Sequence, residues 1–308
     1  SGEMCYLLNG DQSNINWYQT LGTDEMPVPF PSSKQVYAVG EVRCDGTPLG
    51  ELTYSNENTS TVPKHNDVDG HCTVCGNIIT DHILPNADGY FELRTVADAE
   101  WFSSMVNEAH QLTIKGMLMN DIDYQGIENA HTPIGPNTTY KFNGEFDGQG
   151  HRIKNMVLDL DQNVVGFFGA VRGGTVIRNL IIDASCSISG NSQVGALIGL
   201  VQTDAATPLL VENCVNEASV TGTGSTSGII GSGTSAYPAI QLVNCLNSGD
   251  ITGAPATAFC SWINRSGSSV TGCLNTGNII GADNCGSKFG GALTPLIRYE
   301  PGTLTMTN

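Results

Sequence analysis

Positive charge is scarce in this sequence. Lys and Arg together number 13 against 30 acids, a formal net charge of −17. A protein that grips a phosphate backbone needs a basic surface to displace counterions, so nucleic acid is excluded as a partner. Charged residues of both signs make up only 14% of the chain, against roughly 25% in ordinary soluble domains. No apolar run approaches the roughly 20 residues that span a bilayer, which leaves no membrane span to place. The chain opens SGEMCYLL, with no initiating Met and no signal peptide, and reads as a segment of something longer. HExxH, GxSxG and a Gly-Lys-Ser/Thr phosphate loop are all missing, although TGTGSTSGIIGSG (221–233) is glycine-rich enough to suggest one.

What the chain has is glycine, 37 residues of it, and a repeated phrase. NCVNEASVTG (213–222), NCLNSGDITG (244–253) and GCLNTGNIIG (272–281) align, with cysteine in one slot each time. Between them recur glycine-flanked apolar blocks: GFFGAV (166–171), GALIGLV (195–201), SGIIGSG (227–233) and the glycine-poor AFCSWI (258–263). RIKNM (152–156) and VIRNL (176–180) extend the series toward the N-terminus, so Asn155, Asn179, Asn213, Asn244 and Gly272 are expected to be equivalent. A fixed phrase with loose spacing marks a repeat architecture with variable loops.

Each unit holds short alternating strands broken by Gly, Asn and Ser, and no stretch after residue 110 keeps a helical period. One such unit cannot bury its apolar face; a stack about 4.8 Å apart can. The predicted fold is therefore mainly β: a right-handed parallel β-helix of about five coils over 140–293. Cys214, Cys245 and Cys273 then fall in an interior column that Leu180 and Met156 fill earlier, and Cys260 shares a slot with Ile230 and Phe168. Asn216, Asn247 and Asn275 are expected to stack, amide on amide. An open solenoid end needs a cap, and TVAD (95–98) before Trp101, Phe102, Met105 and Val106 predicts a capped amphipathic helix there, followed by first strands in 112–123. The organisation expected is a Cys/His segment over 1–85 and a capped β-helix over 86–308.

The combination of FNGEFDGQGHRIKNMVL (142–158), VVGFFGAV (164–171), VIRNLIID (176–183) and NCLNSGDITG resembles the GLUG-motif proteins, large bacterial surface and secreted proteins with β-helical repeats. The resemblance covers residues 86 to about 293. It implies an extracytoplasmic, cell-surface or secreted location, a parallel β-helix, and no catalysis within the repeat. The function expected is a non-catalytic binding, adhesion or scaffold module whose partner is a host protein, a glycan or another surface-protein module. The alternative is a carbohydrate-active β-helix enzyme, a polysaccharide hydrolase or lyase. GHRIK (150–154) fuses fragments that polygalacturonases carry separately, and Asp147, Asp159 and Asp161 are the nearby carboxylates such chemistry would need. Loops 202–209 and 232–239 are the expected binding face, with Tyr237 and Trp262 as its aromatics.

HNDVDGHCTVCG (65–76) carries the sharpest local motif, a CxxC followed by Gly. That is half a zinc ribbon, and a structural zinc needs four Cys or His ligands in a tetrahedron. Cys72 and Cys75 with His65 and Cys44 form the expected set; His71, His82 and Cys5 are substitutes. A disulfide, Cys5 with Cys44, is the competing reading for an extracytoplasmic protein. A redox role is disfavoured, because no βαβ pattern surrounds the CxxC.

Overall fold

A computed structural model describes residues 2–10, 12–59, 63–202, 207–233, 239–261 and 267–281, and the backbone of 305–307. The chain divides into two compact units, Ser1–Ile79 and Thr80–Asn308.

The second unit is a parallel β-solenoid of about five coils. Its longest sheet runs, in space, Thr305–Thr307, Ser269–Thr271, Ile240–Val243, Leu209–Glu212, Val176–Arg178, Glu145–Asp147, Lys115–Leu118 and Tyr90–Leu93. Every pairing in it is parallel. Register places Phe146, Ile177, Val211, Leu242 and Val270 in one column, and each is at most 1% exposed. Glycines of the apolar blocks sit where coils meet closely: a Cβ on Gly199 would lie 2.7 Å from the Val165 nitrogen. The repeat conserves volume along each column because every coil templates the next.

The early coils are filled by aromatics. Phe102, Phe142, Phe146, Phe167 and Phe168 pack with centroid separations of 5.2–6.0 Å, mostly edge to face. Phe102 arrives from the helix Val96–Asn107, whose N-terminus is the expected capping box. Asp98 N–H donates to Thr95 Oγ1 (3.2 Å) and Thr95 N–H to Asp98 Oδ2 (3.0 Å). Trp101, Phe102, Met105 and Val106 are all buried, as their spacing predicted. The first strand, however, precedes this helix: Tyr90–Leu93 pairs with Lys115–Leu118. The helix is thus the crossover between two parallel strands as well as a cover for the core.

The register corrects one alignment. Arg178 faces Asp147, so the strand before VIRNL is EFD, not RIK. RIK belongs to a second sheet, where Arg152 pairs with Ile181 and Ile153 with Ile182. Met156 accordingly leaves the cysteine column. It stacks under Cys186 in a third sheet, its N–H 3.3 Å from that sulfur. The sequences matched because both corners make the same local demand: Asn155, Asn179, Asn213 and Asn244 have φ of 51–55° and Gly272 of 63°. Asn tolerates that left-handed turn better than other side chains. The rest of the column stands as read. Val215, Leu246 and Leu274 donate to the carbonyls of Leu180, Cys214 and Cys245, each at 2.9 Å. Cys214 and Cys245 are buried and Cys273 half-buried. Ile230 bridges Cys260 in the slot that Phe168 and Ile198 occupy below. Tyr237 and Trp262 lie outside the described residues.

Candidate metal centre

The first unit has few long strands, and local turns do most of the positioning. Asp67–Val68 and His71–Cys72 form a hairpin whose central residues, Asp69 and Gly70, have φ of 53° and 81°. That is the Asp-Gly hairpin turn, and Asp67 Oδ1 accepts the Gly70 N–H at 2.9 Å. The chain then folds tightly around Cys72. Val74 N–H points at its sulfur (3.4 Å), and Gly76 N–H donates to its carbonyl (2.8 Å). Gly76 takes φ of 74°, which Gly adopts without steric cost. Thr73 N–H donates to the Asn66 carbonyl at 3.0 Å, which sets His65 beside the CxxC. Lys64 N–H donates to the Val42 carbonyl at 2.8 Å and Arg43 bridges Lys64, which brings Cys44 in from the far side.

Cys44, His65, Cys72 and Cys75 therefore converge, with one ligand atom from each within 4.8 Å of the others. Cys44 Sγ is 3.5 Å from Cys72 Sγ, and Cys75 Sγ is 3.5 Å from His65 Nδ1. Those separations match the edges of a tetrahedron with bonds of about 2.0–2.3 Å, and far exceed the S–S bond of about 2.05 Å. The cluster could hold a metal ion. His71, His82 and Cys5 are not members of that group. His71 Nδ1 faces the Asp69 carbonyl (3.4 Å), His82 faces Asp98 (3.4 Å), and Cys5 is a buried thiol in the helix Gly2–Leu8, not joined to Cys44.

Cys72 and Cys44 are shifted in opposite directions. Burial resists ionisation of Cys72, but N–H donors from Cys75 and Val74, with His65, outweigh it and lower the thiol to about 5. Cys44 is pushed up to about 12, by burial first and then by its two cysteine neighbours. Cys72 is thus poised to ionise and Cys44 is held neutral, and a bound cation would be needed to draw out the Cys44 thiolate.

The carboxylates near GHRIK are engaged between coils. Asp147 is 4% exposed and accepts from Arg178 Nε (2.7 Å) and Asn179 Nδ2 (2.9 Å). Asp159 accepts the Ser189 hydroxyl, and Asp161 accepts Asn191 Nδ2 at 3.0 Å. Arg152 binds Asp183 (2.6 Å) and Glu217 (2.7 Å). One further cluster carries no sequence signal. Glu100 Oε1 lies 2.7 Å from His131 Nδ1 and accepts the Tyr124 hydroxyl at 2.7 Å, while His131 Nε2 donates to the Phe167 carbonyl at 2.9 Å. These partners sit about a coil apart in sequence, where no short motif can register them.

No protein-family profile matches the chain. Halomucin of Haloquadratum walsbyi is 28% identical over 158 residues, 48% of this chain. The match spans only 2% of halomucin's length. Among solved structures, a "putative immunoglobulin A1 protease" from Bacteroides ovatus superposes with a TM-score of 0.53 at 16% identity, over 72% of this chain and 78% of that one. At that identity the likeness is one of fold: a β-solenoid is shared.

Proposed function

We propose that this chain is a non-catalytic, extracytoplasmic binding or scaffold module of a larger surface protein, of the GLUG-motif type, with one structural zinc in its first unit. The observation that carries the non-catalytic reading is the engagement of Asp147, which is buried and paired with Arg178 across the coil boundary. Glycoside hydrolysis needs two carboxylates facing an open cleft about 5–9.5 Å apart, one of them free to take or give a proton. Asp147, Asp159 and Asp161 instead hold neighbouring coils together. The match to a small fraction of a very long protein supports the reading of a module within a larger chain. No helix among the described residues is long and apolar enough to cross a membrane.

Zinc is supported by the donor set, three thiols and an imidazole, which suits a closed tetrahedral structural site. Four protein ligands leave no open position for substrate, so the metal's role is to hold the fold. The test has two arms. Incubation with plant and host polysaccharides should release no reducing or unsaturated sugar; turnover lost in Asp147→Asn would replace this reading with the enzyme. A glycan array with host matrix proteins alongside should yield the partner.

A further inference from the structure

The first unit carries ten acids and only three basic residues, Lys34, Arg43 and Lys64. Two of those three line a single cavity of about 380 Å³ on the flank of the metal cluster. That volume lies within the range of small-molecule sites, roughly 300–1,000 Å³. His65 borders both the cavity and the cluster, so an ion bound there would fix one wall.

The two cations are in different states. Lys64 is paired with Glu41 at the exposed rim. The Arg43 guanidinium makes no ion pair or hydrogen bond among the described residues, and the nearby Asp45 carboxylate instead accepts the Thr47 N–H at 2.9 Å. The Asp45 carboxylate feels the Arg43 charge without a direct bond to it, so the guanidinium keeps its planar fork of N–H donors, which fits a carboxylate in two bonds. Leu49 and Val74, 43% and 39% exposed, also line the cavity and supply its apolar surface. Asn66 gives its side-chain N–H to Thr73 Oγ1 (2.6 Å), which leaves the side-chain oxygen Oδ1 of Asn66 to accept an N–H from outside.

We propose that this cavity captures the C-terminal carboxylate of a peptide ending in an aliphatic residue. The carboxylate sits on Arg43, the last side chain on Leu49 and Val74, and the last peptide N–H on Asn66. No Phe, Tyr or Trp among the described residues lines the cavity, so the broad stacking platform that a sugar acid would use is missing there. The proposal deepens the reading of the chain as a binding module by naming a ligand class.

The experiment uses the full chain loaded with zinc and titrates fluorescent Gly-Gly-Ala-Leu, its C-terminal amide, and galacturonate by anisotropy or competition. The free acid should bind, the amide should bind at least about tenfold more weakly, and raising salt should weaken only the acid. Arg43→Ala should lose at least about tenfold and Arg43→Lys should recover part of it. Unchanged zinc content in both variants keeps folding out of the comparison. Equal binding of acid and amide, preference for galacturonate, or no binding to the intact loaded chain overturns the proposal. None of these outcomes touches the surface-module reading, which stands or falls on the polysaccharide and array tests.

Discussion

Asn216 donates its side-chain amide to Asn247 Oδ1 at 2.8 Å, inside the solenoid, in the column that Ile182 occupies one coil earlier. Asn247 repeats the bond to Asn275 at 2.7 Å, and each amide also donates to the carbonyl two residues on. Asn216 and Asn247 are fully buried, so every bond in the ladder counts. Asn247→Ala should cost about 2–4 kcal/mol, because it strands the amides on both sides as well as leaving a void. Asn247→Ile should also destabilise, although it restores the apolar residue of the earlier coils. Urea denaturation that shows either change within about 0.5 kcal/mol of the parent would contradict this ladder.

The metal cluster makes a prediction for the metal-free chain. Cys72 has a thiol lowered from 9.0 to about 5, so its thiolate favours the folded state. That contribution is complete above 9.0 and fades as pH falls toward about 5. Absorbance at 240 nm should rise with one thiolate near pH 5 and lose that step in Cys72→Ser. With metal supplied, elemental analysis should give one zinc per chain, and less than about a tenth after Cys72→Ser. A single transition above pH 8 would argue against the preset thiolate.

The cap helix depends on Glu100. Burial alone would raise its pKa, but the His131 charge, bonds from His131 and Tyr124, and the Thr132 N–H together lower it. A depressed carboxylate stabilises above its unfolded value, about 4.3, and that contribution disappears as pH falls through the folded value. Amide exchange in Val96–Asn107 should therefore accelerate below about pH 4, and Glu100→Gln should be fast at all pH values. Tyr124→Phe should cost about 1–2 kcal/mol. Exchange that ignores pH in the parent would remove Glu100 from this role.

The cysteine column should behave as core. Burial pushes Cys214 up to about 12, and Cys245 is raised by its Cys273 neighbour and by burial. Cys245→Val should change stability by less than about 1.5 kcal/mol, while Cys245→Ser should cost about 1–3 kcal/mol. Rapid labelling of Cys214 or Cys245 in the folded chain would show that the column is open.

Much of this was legible in the linear sequence, for a physical reason. A stacked coil constrains the residue above it, so volume and turn chemistry recur and can be read as text. The cysteine slot, the Asn216–Asn247–Asn275 ladder and the Thr95–Asp98 capping box are of this kind, since each depends on local spacing or on direct repetition. CxxC-Gly likewise fixed a tight turn, which pointed to Cys72 and Cys75 as a ligand pair.

Tertiary structure alone decided the rest. Which corner Asn155 occupies could not be read, because Asn in a left-handed turn looks the same at every corner and only strand register separates them. The contact of Glu100 with His131 and the stacking of His131 on Phe167 at 4.5 Å join residues a coil apart that share no phrase. The company of Arg43 and Lys64 at one cavity depends on a bridge between distant segments. Repetition writes neighbours along a column into the sequence; contacts across the core, or between non-repeating loops, leave no periodic trace and appear only when the chain has folded.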